Sequence, residues 1–215
     1  MPNSTPLTEA VYDQIADALA EDGYIILPNF LADDMTEQLY QHVTKLPDKQ
    51  FKMAGIGRND DHLVKQQVRN DQTSWLSSHS SVEQAYLAVM DECRNQLNQR
   101  LFLGLFDYEA HFAHYAEGNY YQRHIDAFHG QSNRLVTTVF YLNPNWLDEN
   151  GGELLIYSPN SEEVIHRISP RFGTMVIFLS DRFPHEVLAA KQDRYSIAGW
   201  FRTNSSNSLS VDPMT

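Results

Sequence analysis

The apolar positions at the start of the chain are spaced as in an amphipathic helix followed by a strand. Val11, Ile15 and Leu19 recur at helical intervals with acidic residues between them, which predicts a helix over residues 8–19. The β-branched run YIILPNFL follows at residues 24–31, and Pro28 limits its extended part. The first thirty residues therefore predict one helix with a single apolar face and one short strand.

Two more helices are predicted before residue 105. Asp33 or Asp34 can cap the second helix, whose apolar positions are Met35, Leu39 and Val43. These three positions recur at helical spacing, so we expect them to face the core.

The third helix is predicted from a capping box. Ser80 and Glu83 have the required spacing, and the helical pattern runs from there to about Leu101. Cys93 lies within it and is interpreted as a small packing residue, because no basic neighbour favours its thiolate. The candidate core positions of this helix are Val82, Ala85, Val89 and Leu97.

From residue 108 onward the pattern changes to short apolar runs separated by turn residues. Eight such runs, spaced roughly ten residues apart, indicate a β-sandwich or barrel. The turns between them are rich in glycine, asparagine and proline. The predicted strands are residues 108–115, 121–126, 135–142, 153–157, 164–168, 174–179, 185–189 and 194–202.

Helices followed by strands need not form two domains, because helices can cover one face of a sheet and share its core. We therefore predict a mainly β fold with N-terminal helices, in a single domain over residues 1–203. Residues 1–105 would supply helical support and a substrate loop, and residues 106–203 the β core. The polar segment 204–215 is expected to be a flexible tail.

Composition narrows the range of partners. The chain has 215 residues and is 42% hydrophobic, which is enough to bury a core. Its 28 acidic and 16 basic residues give a net charge of −12, which disfavours nucleic acid as a partner. A single cysteine and the lack of a secretory leader favour the cytoplasm, and no apolar run approaches the ~20 residues of a membrane span. A monomer is favoured.

The segment RHID at residues 123–126 carries the first candidate chemistry. If it lies on a strand, His124 and Asp126 point to the same face. His185 in DRFPHEV, at the start of a later strand, is the best third ligand. Two histidines and one carboxylate form the facial triad that leaves positions open on Fe(II). His129 is the weaker alternative to His185, because the turn residue Gly130 follows it.

The strand RYSIAGWF carries the second candidate. Strand alternation places Arg194, Ser196 and Trp200 on one face. A buried guanidinium needs an anion, and its planar fork suits a carboxylate. A dicarboxylate that binds the metal at one end and Arg194 at the other would satisfy both groups, and 2-oxoglutarate has this form.

At this point the sequence resembles the iron(II)- and 2-oxoglutarate-dependent oxygenases of the prolyl 4-hydroxylase type. The resemblance covers residues 115–202 well and the N-terminal part loosely. With arginine at position 194 and the segment VRNDQTSW, the chain resembles the oxygen-sensing subgroup of prolyl hydroxylases. Ala198 departs from that subgroup, because its animal members tend to carry threonine there. The matching segments are HYAEGNYYQRHID, TTVFYLN, GGELLIY, DRFPHEV and RYSIAGWF.

The resemblance implies a double-stranded β-helix, or jelly roll, of about eight strands supported by about three helices. It implies His124, Asp126 and His185 as ligands of Fe(II), and Arg194 as the partner of the far carboxylate of 2-oxoglutarate. Tyr141 would assist that carboxylate, and Tyr115 would lie near the end that chelates the metal. No catalytic side chain is implied beyond the metal ligands.

The implied reaction hydroxylates a prolyl residue of a protein substrate to 4-hydroxyproline. It consumes O₂ and converts 2-oxoglutarate to succinate and CO₂, with ascorbate as a candidate reductant. Two alternatives remain: hydroxylation of a free amino acid or other small molecule, and a non-catalytic binding module on the same fold. Presence of all three candidate ligands and Arg194 disfavours the last.

The segment at residues 51–75 is the candidate substrate loop. Its four basic and three acidic residues make it the one long stretch without a negative balance, and its glycines would let it close over the site. A solvated loop without such a role is the alternative. The candidate substrate contacts are Arg69, Arg134, Trp200 and Tyr121.

Overall fold

The computed structural model describes residues 7–54, 68–127 and 133–204. Its helices are α1 (Glu9–Glu21), α2 (Asp33–Val43) and α3 (Ser81–Leu101). Within these ranges no helix combines the length and apolar character needed to cross a bilayer. The strands are β1 (Tyr24–Leu27), β2 (Lys52–Met53), β3 (Gln72–Trp75), β4 (Leu105–Tyr115), β5 (Tyr121–His124), β6 (Arg134–Tyr141), β7 (Leu154–Tyr157), β8 (Val164–Ile168), β9 (Met175–Leu179), β10 (His185–Val187) and β11 (Arg194–Thr203).

The strands form two antiparallel sheets. The larger has the order β1-β9-β6-β11-β4-β3-β2, and the smaller has the order β5-β10-β7-β8. The eight strands predicted after residue 105 are all present, and the two sheets face each other as a jelly roll. The predicted fold class is confirmed, whereas the division into one domain over residues 1–203 and a tail stays a prediction. Residues 205–215 of that tail lie outside the described residues.

The large sheet buries both of its faces, which creates two cores. On β9, Met175 and Ile177 pack against the helices, whereas Val176 and Phe178 pack against the small sheet. Strand alternation explains the division, because neighbouring side chains point to opposite faces. The core between the sheets is the one that holds the candidate site.

Strands β2 and β3 were not predicted. They are short and largely polar, and β3 pairs antiparallel with β4 in a register that sets Gln72 opposite His114 and Trp75 opposite His111. Their extended form depends on pairing with the edge of the sheet, which a local hydrophobic pattern does not reveal. The N-terminal half therefore supplies three strands of the large sheet as well as the helices.

The predicted side-chain capping hydrogen bonds are not formed, although Ser80 does lie at the predicted N-cap position. Ala32 occupies the N-cap position of α2, and neither aspartate provides a side-chain cap. Ser80 occupies the N-cap position of α3, but its side chain makes no capping hydrogen bond. The Glu83 carboxylate instead accepts a hydrogen bond from the Ser77 N–H (2.6 Å) and lies 2.6 Å from Nε2 of His42. This buried tertiary contact replaces the expected capping box.

The buried face of α3 differs partly from the prediction. Leu97 is fully buried as expected, but Val82, Ala85 and Val89 are only partly buried. Cys93 packs in the core as predicted, and burial raises the pKa of its thiol to about 12. The centre of this face is formed by Tyr86, Met90, Cys93 and Leu97.

Gly199 in β11 leaves room on the helix side of the large sheet for the ring of Tyr108 from the neighbouring strand β4. A Cβ atom at this position would lie 2.1 Å from the hydroxyl oxygen of Tyr108. That hydroxyl is held 2.8 Å from Oγ1 of Thr138 and 3.2 Å from the hydroxyl of Tyr86. The ring cannot move away without breaking these hydrogen bonds.

We predict that Gly199→Ala lowers the free energy of unfolding by about 3 kcal/mol, the upper part of the usual range for overpacking a core. Urea denaturation monitored by tryptophan fluorescence measures the change. Tyr108→Leu in the same chain should relieve part of the clash, so the double variant should be less destabilised than the sum of the singles. Additive losses would contradict the assigned contact.

Candidate active site

The candidate metal ligands meet where β5 pairs with β10. His124, the last residue of β5, lies directly opposite His185, the first residue of β10. The strand predicted over residues 121–126 ends at His124, so Asp126 was wrongly placed on it and lies in the bend that follows. The bend still brings its carboxylate to the two imidazoles.

The three side chains form a compact ligand set. One ligand atom from each of His124, Asp126 and His185 lies within 4.8 Å of the others. Nε2 of His124 is 3.5 Å from Oδ1 of Asp126, and Nε2 of His185 is 3.7 Å from Oδ2. Among the residues that the structure describes, this is the group of histidine, cysteine and acidic side chains that could hold a metal ion.

Backbone carbonyls orient both imidazoles. Nδ1 of His124 lies 2.8 Å from the carbonyl oxygen of Gln122, and Nδ1 of His185 lies 3.0 Å from that of Phe183. An Nδ1–H donor in each ring leaves Nε2 with a lone pair directed at the ligand set. Burial, together with nearby His124, lowers the pKa of His185 to about 4, so this ring is neutral at pH 7.

Asp126 is ionised and held from two sides. Burial alone would raise the pKa of its carboxyl, but the nearby histidines and Arg134 outweigh burial and hold it below its usual range. Oδ2 accepts hydrogen bonds from Oγ1 of Thr137 (2.9 Å) and Nε1 of Trp200 (3.0 Å). Thr137 had no predicted role. Its position two and four residues before Val139 and Tyr141 placed it on the same strand face, and that signal could have found it.

Arg194 lies in the same space between the sheets and is 1% exposed. Its Nε donates to the carbonyl oxygen of Gly152 (2.9 Å), and Nη1 lies 3.4 Å from Oγ of Ser196. The guanidinium carbon lies 4.9 Å and 5.1 Å from the ring centroids of Tyr115 and Tyr141. The structure thus brings together the three residues assigned to 2-oxoglutarate.

Two buried donors in this space have no hydrogen-bond partner within the described ranges. They are Nη2 of Arg194 and the hydroxyl of Tyr141. Burial raises the pKa of Tyr141 to about 12 although Arg194 acts in the opposite direction, so the phenol stays protonated. Leaving buried donors unpaired is costly, and a carboxylate would satisfy both. The donors therefore fit the far carboxylate of 2-oxoglutarate.

Gly152 is a site residue that the sequence reasoning missed. Its φ is +71°, and a Cβ atom here would lie 2.9 Å from Cβ of Ala190 and 3.2 Å from Cδ of Arg194. Glycine therefore lets its own carbonyl reach the guanidinium. The glycine pair in GGELLIY was the available signal.

Tyr121, a predicted substrate contact, lies beside His124, and Arg69, another predicted contact, packs on Tyr121. The ring of Tyr121 stacks on the imidazole with 3.5 Å between centroids and 14° between planes. The guanidinium carbon of Arg69 lies 4.3 Å from the centroid of Tyr121, and Arg69 also pairs with the fully buried Asp71 (2.6 Å). Tyr121 therefore borders the candidate metal site, and Arg69 contacts the ring of Tyr121.

The other two predicted contacts lie on the side of Asp126. The guanidinium carbon of Arg134 lies 3.6 Å from the ring centroid of Trp200, and Arg134 pairs with Glu109 (2.7 Å). Trp200 is only 7% exposed because its indole packs inward. The structure gives Trp200 a contact with Asp126 that the sequence reasoning had not foreseen.

The two histidines of β4 lie outside the ligand set. His111 and His114 point to opposite faces of β4: the His111 ring lies 5.4 Å from that of Trp200, and His114 stacks on Tyr195 with 4.6 Å between ring centroids. His129, the alternative ligand, lies outside the described residues, as does the 55–67 part of the candidate substrate loop.

Comparison with known proteins agrees with this geometry. Residues 110–202 match the family described as the 2OG-Fe(II) oxygenase superfamily. A crystal structure of a prolyl-4-hydroxylase from Pseudomonas putida is 35% identical, with a TM-score of 0.81 over 90% of this chain and 100% of that one. The chain belongs to the prolyl hydroxylase type of the 2OG-Fe(II) oxygenases.

Two further relatives come from animals. Human prolyl hydroxylase EGLN3 is 27% identical over 208 residues, which cover 91% of this chain and 84% of that protein. A prolyl hydroxylase from Trichoplax adhaerens, solved with a hypoxia inducible factor oxygen degradation domain peptide fragment, is 28% identical, with a TM-score of 0.83 over 95% of this chain and 94% of that one. Oxygenases of this family use Fe(II), 2-oxoglutarate and O₂.

We predict that His111 makes the metal-free oxygenase less stable as the pH falls. Burial, with the charges of Arg69 and Arg134, lowers its pKa from 6.5 to about 4. Between these two pH values His111 binds a proton in the unfolded chain but not in the native protein, so the free energy of unfolding rises with pH. From pH 7.5 to 5, His111 should account for a loss of about 2 kcal/mol.

Urea denaturation of the metal-free protein and of His111→Leu at both pH values tests this prediction. His185 lowers the free energy of unfolding at low pH in both proteins. The difference between the pH dependences of the two proteins therefore reports on His111 alone. Parallel losses in the two proteins would show that His111 is not the group that titrates.

Proposed function

We propose that this protein hydroxylates a prolyl residue of a protein substrate, forming 4-hydroxyproline with consumption of 2-oxoglutarate and O₂. One observation carries the proposal. Two unpaired donors, on Arg194 and Tyr141, are buried in the same inter-sheet space as a set of two histidines and one carboxylate. This combination suits a dicarboxylate co-substrate beside a divalent metal.

The metal and co-substrate would be held as follows. His124, Asp126 and His185 bind Fe(II), Arg194 and Tyr141 hold the far carboxylate of 2-oxoglutarate, and Tyr115 flanks its chelating end. When bound, they supply the oxidation: one oxygen atom of O₂ enters succinate as CO₂ leaves, and the other enters the substrate C–H bond. The protein orients the two groups and excludes water through the apolar lining of Phe178, Ile156 and their neighbours.

A prolyl residue in a polypeptide is the proposed substrate because the relatives are prolyl hydroxylases, one of them solved with a peptide. Tyr121 and Arg69 on one side of the candidate metal site, with Arg134 and Trp200 on the other, are the proposed contacts. Free proline is the competing substrate, and the product assay below distinguishes it.

We also propose a cytoplasmic location with ascorbate as the reductant that keeps the iron in its ferrous state. The buried single thiol of Cys93 supports a reducing compartment, since the chain cannot form an internal disulfide.

Binding of the co-substrate depends on Arg194 in this proposal. Arg194→Ala should weaken anaerobic binding of 2-oxoglutarate to the Fe(II)-loaded protein by about 10- to 100-fold, because a charged hydrogen bond to the carboxylate is lost. Isothermal titration calorimetry measures the affinity. Arg167→Ala, which removes an exposed arginine on β8, is the matched control and should change nothing. Equal affinities in wild type and Arg194→Ala would refute the assigned anion site.

The reaction product identifies the class of substrate. Incubation with Fe(II), 2-oxoglutarate, ascorbate and proline-containing peptides should release succinate and add the mass of one oxygen atom to a prolyl residue. Tandem mass spectrometry locates the addition, and His124→Ala should abolish it by removing a metal ligand. Oxidation of free proline with no peptide product would replace the proposed substrate class.

A further inference from the structure

We propose that Glu109, Arg134 and Trp200 act together as positioning residues that fix the carboxylate of Asp126. We call these three residues the Arg134 clamp. Of the three, Trp200 is the residue that donates a hydrogen bond to Asp126, and Glu109 acts at a distance through the other two. The inference rests on the proposed metal site, because its consequence is a defined metal-binding mode for Asp126.

The carboxylate of Asp126 has one oxygen occupied by protein donors. Oδ2 of Asp126 accepts hydrogen bonds from Thr137 (2.9 Å) and Trp200 (3.0 Å). A carboxylate oxygen has two lone pairs in its plane, so two donors occupy Oδ2 and leave Oδ1 for a cation. Oδ1 also lies near Nε2 of His124 (3.5 Å). Asp126 is therefore prepared to bind a metal through one oxygen.

Strand register places both donors. Trp200 of β11 lies opposite Thr137 of β6 on one side and opposite Glu109 of β4 on the other. Side chains directly opposite each other on one face of a sheet are neighbours. Thr137, Trp200 and Glu109 therefore form one row across three neighbouring strands. Asp126 contacts the first two of these side chains.

The indole requires its own support, because a tryptophan that donates one hydrogen bond can still rotate about its side-chain bonds. The guanidinium carbon of Arg134 lies 3.6 Å from the centroid of its ring, which is a close cation–π contact. The ring of His111 lies 5.4 Å away. Arg134 therefore packs against the indole of Trp200, whose N–H donates to Oδ2 of Asp126.

Glu109 anchors Arg134. Its Oε1 accepts from Nε (2.8 Å) and lies 2.7 Å from Nη2 of the guanidinium. Its Oε2 lies 3.5 Å from Nη1 of Arg202, whose guanidinium in turn pairs with the buried Asp107. Glu109 is 7% exposed, so its position is set by these cations.

The cost of burying these charges supports a positional role. Glu109 is buried and Arg134 is largely buried, and such a pair contributes little net stability compared with apolar residues of the same size, so we attribute its role to the geometry that it fixes. In the Arg134 clamp, the contacts lead from Glu109 through Arg134 and Trp200 to Asp126, which is the one carboxylate of the candidate metal site.

Metal affinity in the absence of turnover tests the clamp. Co(II) is titrated into the metal-free wild type and into Trp200→Phe, Glu109→Gln and the double variant. Partners of metal ligands are worth about 10- to 100-fold in metal affinity. We expect Trp200→Phe to lose about 100-fold and Glu109→Gln about tenfold.

The double variant decides whether Glu109 acts through Trp200. If it does, the double variant should lose about 100-fold in Co(II) affinity, like Trp200→Phe alone, because Glu109 then has no indole to position. Independent effects would multiply to about 1000-fold and would overturn the clamp. The visible absorption of bound Co(II) gives a second readout, since a carboxylate free to rotate can bind through both oxygens and raise the coordination number.

Controls separate positioning from general loss of structure. Glu153→Gln removes a glutamate that pairs with the exposed Arg167 outside the site, and it should bind Co(II) like wild type with an unchanged spectrum. Thr137→Ser keeps the other donor to Oδ2 and should retain affinity, whereas Thr137→Val should lose it. If Glu109→Gln does not fold, Arg134→Met replaces it, because methionine keeps an apolar contact with the indole but lacks the cation.

The outcomes also distinguish the clamp from the proposed function. If wild type does not bind Co(II), or His124→Ala binds it as tightly, the metal site itself is wrong. If wild type binds and His124→Ala does not, but Glu109→Gln matches wild type in affinity and spectrum, the clamp alone is overturned.

Discussion

The register of β11 between β4 and β6 is the constraint on which the rest of the site depends. It sets Arg194 opposite Tyr115 and Ser196 opposite Tyr141 at one end, and Trp200 opposite Glu109 and Thr137 at the other. A slip of one residue would turn every one of these β11 side chains toward the helices. One central strand thus positions both the anion-binding end and the support of the metal-binding end. The exclusion of a Cβ atom by Tyr108 at Gly199 helps to hold this register in place.

The arginines inside the jelly roll differ in whether a carboxylate pairs with them. The chain carries a net charge of −12, yet Arg194 is buried and no carboxylate among the described residues pairs with it. Arg134 and Arg202, by contrast, are paired with Glu109 and Asp107. The paired cations define geometry around Asp126. The unpaired Nη2 of Arg194 is instead available to an incoming carboxylate, so ligand binding and stability of the core are coupled.

Sequence patterns predicted the elements more reliably than their ends and edges. All eight strands after residue 105 and all three helices were expected, because apolar periodicity reflects which face is buried. The capping box at Ser80 and Glu83 was wrong because the carboxylate found better partners in His42 and Ser77. Asp126 was misplaced on a strand because local alternation cannot show that β5 ends at His124. The polar strand β3 is held by pairing with β4, and β2 in turn by pairing with β3.

The sequence by itself determined the residue types of the site: two histidines, an aspartate and an arginine, in an order and spacing that resembled one family of oxygenases. It could do so because ligand chemistry is a property of the side chains and strand alternation is local. Tertiary structure alone decided which partners surround them. Thr137, Gly152 and Glu109 acquire their roles from strands distant in sequence, since hydrogen bonds, close backbone approach and cation–π contacts depend on register across a sheet.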